Sequence, residues 1–423
     1  MRVLMFGWEF PPHISGGLGT ACLGITQGLG ELGTEIIFVL PKIKGDHLAS
    51  HVKLISASDV SLSEDSSTKI FTKAMEFRAI ASTLRPYASA SPLIASLSRG
   101  ILTNQRPGNH GTGELSGDYG SDLFLEVINY GRAAGILARG ETFDVIHGHD
   151  WMTVHAGIEA RRATGKPYIY HVHSLEFDRS GENINRQVYD VERYGLENAD
   201  HIISVSHYTK NTIVNRYGIN PAKVTVVHNA VSRSEGAIRY RGEKRPGEKI
   251  VLFLGRITFQ KGPDYFIEAA ARVLEMIPRV TFVMAGAGDM MPRMIERVAQ
   301  LGIGRHFHFT GFLKGDEVER IYALSDLYVM PSVSEPFGIS PLEAMLYDIP
   351  VIMSKQSGVS EILHHALKVD FWNVDELADK MIGAIRHPAL VTEMVDRSRE
   401  ELKNIHWKAA AEKILSVYRR VCG

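Results

Sequence analysis

The sequence predicts an α/β protein: two successive Rossmann-like doubly wound domains facing a central cleft. Three observations carry this. Short β-branched runs alternate with amphipathic helical stretches over most of the chain, the signature of parallel sheets covered by helices on both faces. The alternation pauses once, across the polar, basic stretch 231–248 with its Gly and Pro, and then restarts. The chain also has 423 residues, more than one hydrophobic core usually serves.

The elements follow in order. Val3 to Phe6 in the opening MRVLMFGWEFPP reads as a buried strand. Its apolar run is too short for a signal-peptide core or a spanning helix. TEIIFVL, DVIHGH, PYIYHVH, HIISVS and KVTVVHN are the further strand candidates of the first half. Runs such as DLFLEVINYGRAAGILA lie between them, with apolar residues at helical spacing. Residues 56–121 break the pattern. They are rich in Ser, Gly and Asp and poor in strand signals, so a partly helical insertion near the cleft mouth is expected there. KIVLFLG, VTFVMAG, HFHFTG, LYVMPS and PVIMSK are the strands of the second unit. A final helix over 406–421, beginning near Trp407, is expected to pack back onto the first domain. The domains are thus 1–235 and 245–405. No short-period repeat points to a solenoid.

Composition narrows the class. Apolar residues make up 44% and charged residues 22%, as in an ordinary globular enzyme. The net charge of -1 lacks the excess of cations that a general nucleic-acid binder carries. Two cysteines, Cys22 and Cys422, are too few for a disulfide scaffold and fit a reducing, cytoplasmic setting. No stretch approaches about 18 uninterrupted apolar residues, so integral membrane association is not expected.

Five motifs could carry chemistry. Gly16-Gly17-Leu18-Gly19 follows the first strand and opens a helix. Glycines there let backbone approach an anionic ligand, although a plain tight turn would look the same. No acidic residue follows the second strand, which weakens a nicotinamide-cofactor reading. Arg256 and Lys261 lie on the loop leaving the first strand of the second unit. Two cations at a strand's carboxyl end can converge on a diphosphate, where an ordinary basic loop would face solvent. In SEPFGISPLEAM a strand ends and a helix begins. The amides of Phe337, Gly338 and Ile339 suit a phosphate, and Glu335 and Glu343 suit sugar hydroxyls. As structural residues the two acids would be a loop charge and a helix-face charge. His171 and His173 share one face at the end of PYIYHVH. His147, His149, Asp150 and Trp151 end DVIHGHDW, and the last two could line an acceptor channel. A lone strand histidine is more often structural, and the chain holds 18 histidines. The absence of H-E-x-x-H and C-x-x-C pairs argues against zinc.

Together these motifs resemble the family 4 retaining glycosyltransferases of GT-B fold, leaning toward bacterial glycogen and starch synthases. WEFPPHISGGLGT, DVIHGHDWMT, GRITFQKGPDYFIEAA, GFLKGDEVERIYALSDLYVMPS, EPFGISPLEAM and SGVSEIL carry the resemblance, in the family's order. It implies an acceptor-side first domain and a donor-binding second domain. Gly17 and Gly19 would approach the donor, and Arg256 and Lys261 would neutralise the departing diphosphate. Glu335 would bind the transferred sugar and Glu343 the ribose. His173 would sit beside the reacting sugar, and Asp150 near the acceptor. His171 stands where much of the family has Thr, which leaves its role open. Two departures count against glucan synthesis in particular. The synthases' N-terminal lysine is missing before Gly16-Gly17, and the acid loop reads EPFG.

The implied reaction is a front-face substitution in which the departing phosphate helps deprotonate the acceptor. The protein positions groups and stabilises charge, with cations standing where a metal otherwise would. The expected partners are an ADP-glucose or UDP-glucose type donor and an oligosaccharide or polysaccharide acceptor, with no cofactor or metal. The alternatives are a family 4 transferase acting on a cell-envelope, lipid-linked or small-molecule acceptor, and a non-catalytic sugar-nucleotide binder. Retention of Arg256, Lys261 and Glu335 disfavours the last.

Overall fold

The computed structural model describes residues 1–11, 16–43, 51–60, 123–232, 240, 247 and 249–423. Two parallel sheets organise them. The first contains β1 (Arg2–Phe6), β2 (Glu35–Leu40), β3 (Lys53–Ser56), β4 (Val145–His149), β5 (Tyr168–Val172), β6 (His201–Ser204) and β7 (Val224–Val226). The second contains β8 (Lys249–Leu254), β9 (Val280–Ala285), β10 (Phe307–Gly311), β11 (Leu327–Met330), β12 (Val351–Ser354) and β13 (Leu367–Val369).

Their strand orders are β3-β2-β1-β4-β5-β6-β7 and β10-β9-β8-β11-β12-β13. In each sheet the chain runs outward one way, returns to the centre and runs outward the other way. The reversals fall between β1 and β4 and between β8 and β11. A crevice opens at the carboxyl ends of the strands at such a point, and ligands bind there in open α/β sheets.

The apolar runs are continuous because both faces of each sheet are covered. In β1, Leu4 and Phe6 belong to one core cluster and Val3 and Met5 to the other. β2 divides likewise, with Ile37 and Val39 on one side and Ile36, Phe38 and Leu40 on the other. In β8, Val251 and Phe253 face one core and Leu252 the other.

The closing helix Trp407–Cys422 crosses back to the first sheet and packs on the first helix, Gly17–Glu31. Glycines make this possible. A Cβ on Gly24 would lie 2.0 Å from the Trp407 ring, and one on Gly28 would lie 2.6 Å from the Trp407 carbonyl oxygen. These residues are four apart and share a helix face, so they form the notch that receives the ring.

Two strands escape the sequence reading. β3 ends at Ser56, where the insertion was expected to begin, and β13 is only three residues long. The insertion beyond Val60 and most of 231–248 lie outside the described residues.

Candidate active site

The second sheet's switch point gathers the predicted cations and acids. The chain leaves β8 at Gly255 and passes under the loop after β9. A Cβ on Gly286 would sit 1.8 Å from the Gly255 carbonyl oxygen, so backbone rests on backbone. The Ile257 amide donates to the Ala287 carbonyl at 2.9 Å and fixes this contact. A single 3-10 turn, Phe259–Lys261, then ends at Gly262, whose φ is 65°. A Cβ there would lie 2.1 Å from the Pro331 carbonyl oxygen. Only glycine tolerates both the dihedral and the approach. The turn is thereby pressed against the end of β11.

This delivers Lys261 to Glu335. Lys261 Nζ lies 2.5 Å from Glu335 Oε2, and Ser332 Oγ donates to the same oxygen at 3.1 Å. Arg256 is steered by the buried Gln260, donating to its side-chain oxygen at 3.1 Å. The Gln260 carbonyl accepts the Val333 amide at 2.9 Å and ties the cationic loop to the acidic one.

The carbonyls of Glu335, Pro336 and Phe337 are each held. The Glu335 oxygen accepts from Gly358 N at 2.9 Å, the Pro336 oxygen from Ser206 Oγ at 2.5 Å, and the Phe337 oxygen from Val359 N at 2.7 Å. In a trans peptide the N–H points opposite to the C=O. The amides of Phe337 and Gly338 therefore point away from those partners. Gly338 has φ 98°, which an L side chain rarely adopts. Ile339 is partly buried and caps the helix Ser340–Leu346. Glu343, inside that helix, accepts from Tyr322 Oη at 3.0 Å, and burial raises its carboxyl pKa.

The first domain closes over this turn. Glu361 accepts from the amides of His207 and Tyr208 at 2.9 and 2.7 Å and lies 2.8 Å from His228 Nε2. Burial would raise its pKa, but those bonds outweigh it and lower it. Ser334 Oγ donates to Asp178 Oδ1 at 2.6 Å, and Tyr208 Oη lies 3.0 Å from Ser334 Oγ. Sequence reasoning missed these bridging groups. Glu361 stands in the quoted SGVSEIL motif, and Asp178 follows the PYIYHVH strand by five residues, but only the fold brings them to the His207 helix and to Ser334.

The ends of β4 and β5 carry a stack of imidazoles. Ring centroids lie 4.3 Å apart for His147–His149 and for His171–His173, and 5.2 Å apart for His147–His171. His147 Nδ1 lies 2.5 Å from Tyr418 Oη, and His147 Nε2 lies 3.1 Å from His171 Nδ1. His149 Nδ1 lies 3.0 Å from His173 Nε2. This gives His171 a place: it ties the strand end to the closing helix through His147. Burial lowers the pKa of His147 and of His173 to about 3, and pushes His149 and His171 well down. All four rings are neutral at pH 7.

His147, His149 and His171 bring donor nitrogens within 4.8 Å of one another, the arrangement among the described residues that could hold a metal ion. The rings incline by 21° to 32° to one another. Both nitrogens of His147 are already engaged, by Tyr418 and by His171, so a metal there would have to displace one of these bonds.

Asp150 is buried, with φ 59°. Its Oδ1 accepts from the amides of His173 and Ser174 at 2.6 and 3.1 Å. Burial raises its pKa to about 7 against those bonds. It shapes the loop that carries His173. Trp151 corrects the sequence reading. It is 0% exposed and packs on Phe124 in the core, so it lines no acceptor channel. The strand-end position was right, but the chain folds inward into a 3-10 turn, Trp151–Thr153. Gly17 is exposed at the start of the first helix, and a Cβ on it would meet nothing within 4 Å. Gly19 is buried two residues further on, so Gly17 presents the open backbone.

Under the His173 loop lies a buried ionic network. Arg179 meets Glu176 at 3.1 Å and Glu192 at 2.5 Å, and donates to Ser174 Oγ at 2.7 Å. Burial raises the Glu192 pKa to about 7. This network fixes the loop from below.

Comparison with known proteins agrees with this fold. The model of glycosyl transferases group 1 matches residues 235–401, and that of glycosyltransferase family 4 matches 117–235. An uncharacterized glycosyltransferase of Methanocaldococcus jannaschii is 26% identical, with 99% of this chain and 98% of that protein covered. A glycogen synthase of Mycobacterium tuberculosis is 24% identical, with coverages of 99% and 94%. An alpha-maltose-1-phosphate synthase of Mycolicibacterium smegmatis is 30% identical, with coverages of 68% and 81%. Among solved structures, sucrose-phosphate synthase of Thermosynechococcus elongatus superimposes with a TM-score of 0.73 at 18% identity, covering 99% and 98%. HepE of Anabaena, solved with UDP and glucose, gives 0.67 at 17% identity, covering 99% and 100%. Among the described residues, no helix is long and apolar enough to cross a membrane.

Proposed function

This chain belongs to the family 4 glycosyltransferases of GT-B fold, and we propose that it transfers glucose with retention from a nucleoside diphosphate to an α-glucan. The observation that carries the reading is the Lys261–Glu335 pair at the second switch point, 2.5 Å apart and flanked by Arg256. A cation beside an acid, at a mouth with outward-pointing amides, is what a sugar diphosphate needs. The cations meet the phosphates and the acid accepts the sugar's hydroxyls. The glycogen synthase relative and the neighbour solved with glucose support a glucosyl donor.

In the reaction, the bond from the sugar's anomeric carbon to the diphosphate oxygen breaks. The acceptor oxygen bonds the same carbon on the same face, and its proton passes to the departing phosphate. Lys261 and Arg256 offset the charge that grows on that phosphate. Lys261 turns from Glu335 to the diphosphate as donor enters, which frees Glu335 for the sugar. Glu343 accepts from the ribose. Neutral His173 serves as a hydrogen-bonding group beside the sugar and not as a cation. Asp150 holds that histidine's amide. Gly17 lets backbone approach the donor. The cations do the work that a metal does elsewhere.

A second reading is favoured by the 30% identical relative, whose name describes formation of a sugar phosphate. Under it the acceptor is a small phosphorylated sugar. Both are tested by a screen of nucleoside-diphosphate sugars with released nucleotide as the readout. The screen runs with glycogen, with glucose 1-phosphate and with neither, each with and without EDTA. Glycogen-stimulated, EDTA-resistant release of nucleoside diphosphate is expected. Release stimulated only by glucose 1-phosphate would move the acceptor, and Mg²⁺-reversible loss under EDTA would overturn the cationic leaving-group site.

A further inference from the structure

An aromatic row leads out of the proposed donor site along the second sheet. It starts at Gly262, where a Cβ would lie 3.1 Å from the Tyr265 ring. Tyr265 meets Phe371 with centroids 5.1 Å apart, and Phe371 meets Trp372 at 4.8 Å. Trp372 is 59% exposed. Tyr265 and Phe371 behind it are partly buried. A single exposed apolar side chain is ordinary, but one continued inward by further partly accessible rings offers more apolar surface than a lone side chain does. Tyr265 follows the turn that delivers Lys261, and Phe371 and Trp372 follow β13 at the sheet's carboxyl end. The row therefore occupies the same rim as the reactive groups.

Polar groups border it and join it to the acid. The Glu335 amide donates to the Gln356 carbonyl at 3.0 Å, and Gln356 Nε2 donates to Asp370 Oδ1 at 3.0 Å. Lys355 Nζ donates to Asp370 Oδ2 at 2.9 Å. Asp370 directly precedes the two outer rings. Rings that present apolar faces beside carboxylate, amide and ammonium groups match a pyranose, which has apolar C–H faces and a hydroxyl rim. The two ring contacts are near edge-on, at 67° and 86°, so the row is stepped rather than flat. Successive, mutually rotated sugar units suit such a surface better than a planar ligand does.

We propose that Tyr265, Phe371 and Trp372 form a platform for a saccharide chain, holding acceptor units beyond the reacting end. The proposal rests on the reading of the site as one that extends a glycan. A polymer whose end reaches Glu335 must leave the cleft over some rim. This stretch of rim joins Glu335 to the exposed Trp372 through Gln356, Asp370 and the chain that follows it.

The test uses the full chain, Trp372→Ala, and glycogen and maltotriose as probes. In a native gel cast with glycogen, the wild type is retarded and the variant migrates nearly freely. The KM for glycogen rises about tenfold, the scale of one lost aromatic contact, while that for maltotriose stays within about twofold. The ring is exposed, so the melting temperature is unchanged. Equal retardation of the two proteins, or none of the wild type, overturns the platform. A variant that elutes as a smaller species in size exclusion assigns the rings to a second copy of this chain and also overturns it. Wild-type retardation without elongation of maltotriose would leave the platform standing and remove the glucan-extension reading.

Discussion

Lys261 has two tasks, and its substitution separates them. Unpaired from Lys261, the buried Glu335 keeps only the Ser332 hydroxyl among the side-chain contacts described above. Lys261→Ala is therefore expected to lower kcat/KM by about 10² or more through the lost leaving-group charge. It also costs about 1–3 kcal/mol of stability, because a buried acid loses its partner. Arg256→Ala should show the first effect without the second. Steady-state kinetics and thermal melts on both variants check this, and full activity in either would remove that residue from the leaving-group site. Asp150 gives a different signature. It shapes the His173 loop through two amide bonds. Asp150→Asn keeps an acceptor oxygen but not the charge, so it should slow transfer to acceptor more than donor hydrolysis. Equal loss of both rates would contradict that placement. Of these residues the sequence shows type and position, because strand-end loops with paired charges are legible. It does not show direction. Trp151 follows Asp150 at a strand end, yet its ring turns into the core, since the choice depends on whether Phe124 and its neighbours leave room.

At the scale of elements, the long apolar strands were readable because both their faces are buried. β3 and β13 were not, being short edge strands whose stability comes from their neighbours rather than from their own pattern. The docking of the closing helix was expected, but the notch at Gly24 and Gly28 was not visible, because a glycine in a helix announces no partner. Trp407→Ala should cost about 3–5 kcal/mol, as large-to-small core changes do. Gly24→Val should be similarly harmful, and chemical denaturation measures both. A change below about 1 kcal/mol in each would show that the terminal helix is not integral to the first domain. The imidazole stack on β4 and β5 sets a pH dependence. Its four histidines have folded pKa values depressed below 6.5. The unfolded chain therefore binds protons that the native state refuses. That stability is complete above about pH 6.5 and is lost as pH falls toward about 3, at roughly 1.4 kcal/mol per pH unit for each proton. Asp150 and Glu192, raised to about 7, work in the opposite sense between about pH 4 and 7. The histidines outnumber them. Melting temperature should fall between pH 7 and pH 5, and less steeply in His171→Thr. An equal slope in that variant would show that His171 does not share in the stack's titration.

At the scale of the whole molecule, loops at the carboxyl ends of both sheets meet, at Glu361 and at the turn beside Glu335. Ser206, Tyr208 and Asp178 of the first domain all engage Ser334 or Pro336 beside Glu335. Glu335 is thus positioned from both sides, and in the proposed reaction this couples donor recognition to the His173 loop. The acceptor's identity was not legible in motifs shared across the family, because the residues that contact an acceptor are scattered over loops without a fixed spacing. The most direct test of the account is incubation with ADP-glucose or UDP-glucose and a fluorescently labelled maltooligosaccharide. The products are then digested with α- or β-specific glucosidases. The account predicts a ladder of longer products from at least one donor, all degraded by the α-specific enzyme. It also predicts that Lys261→Ala loses the ladder by about 10² in rate. Products resistant to the α-specific enzyme but cleaved by the β-specific one would contradict retention, and a full ladder from Lys261→Ala would contradict the leaving-group site itself.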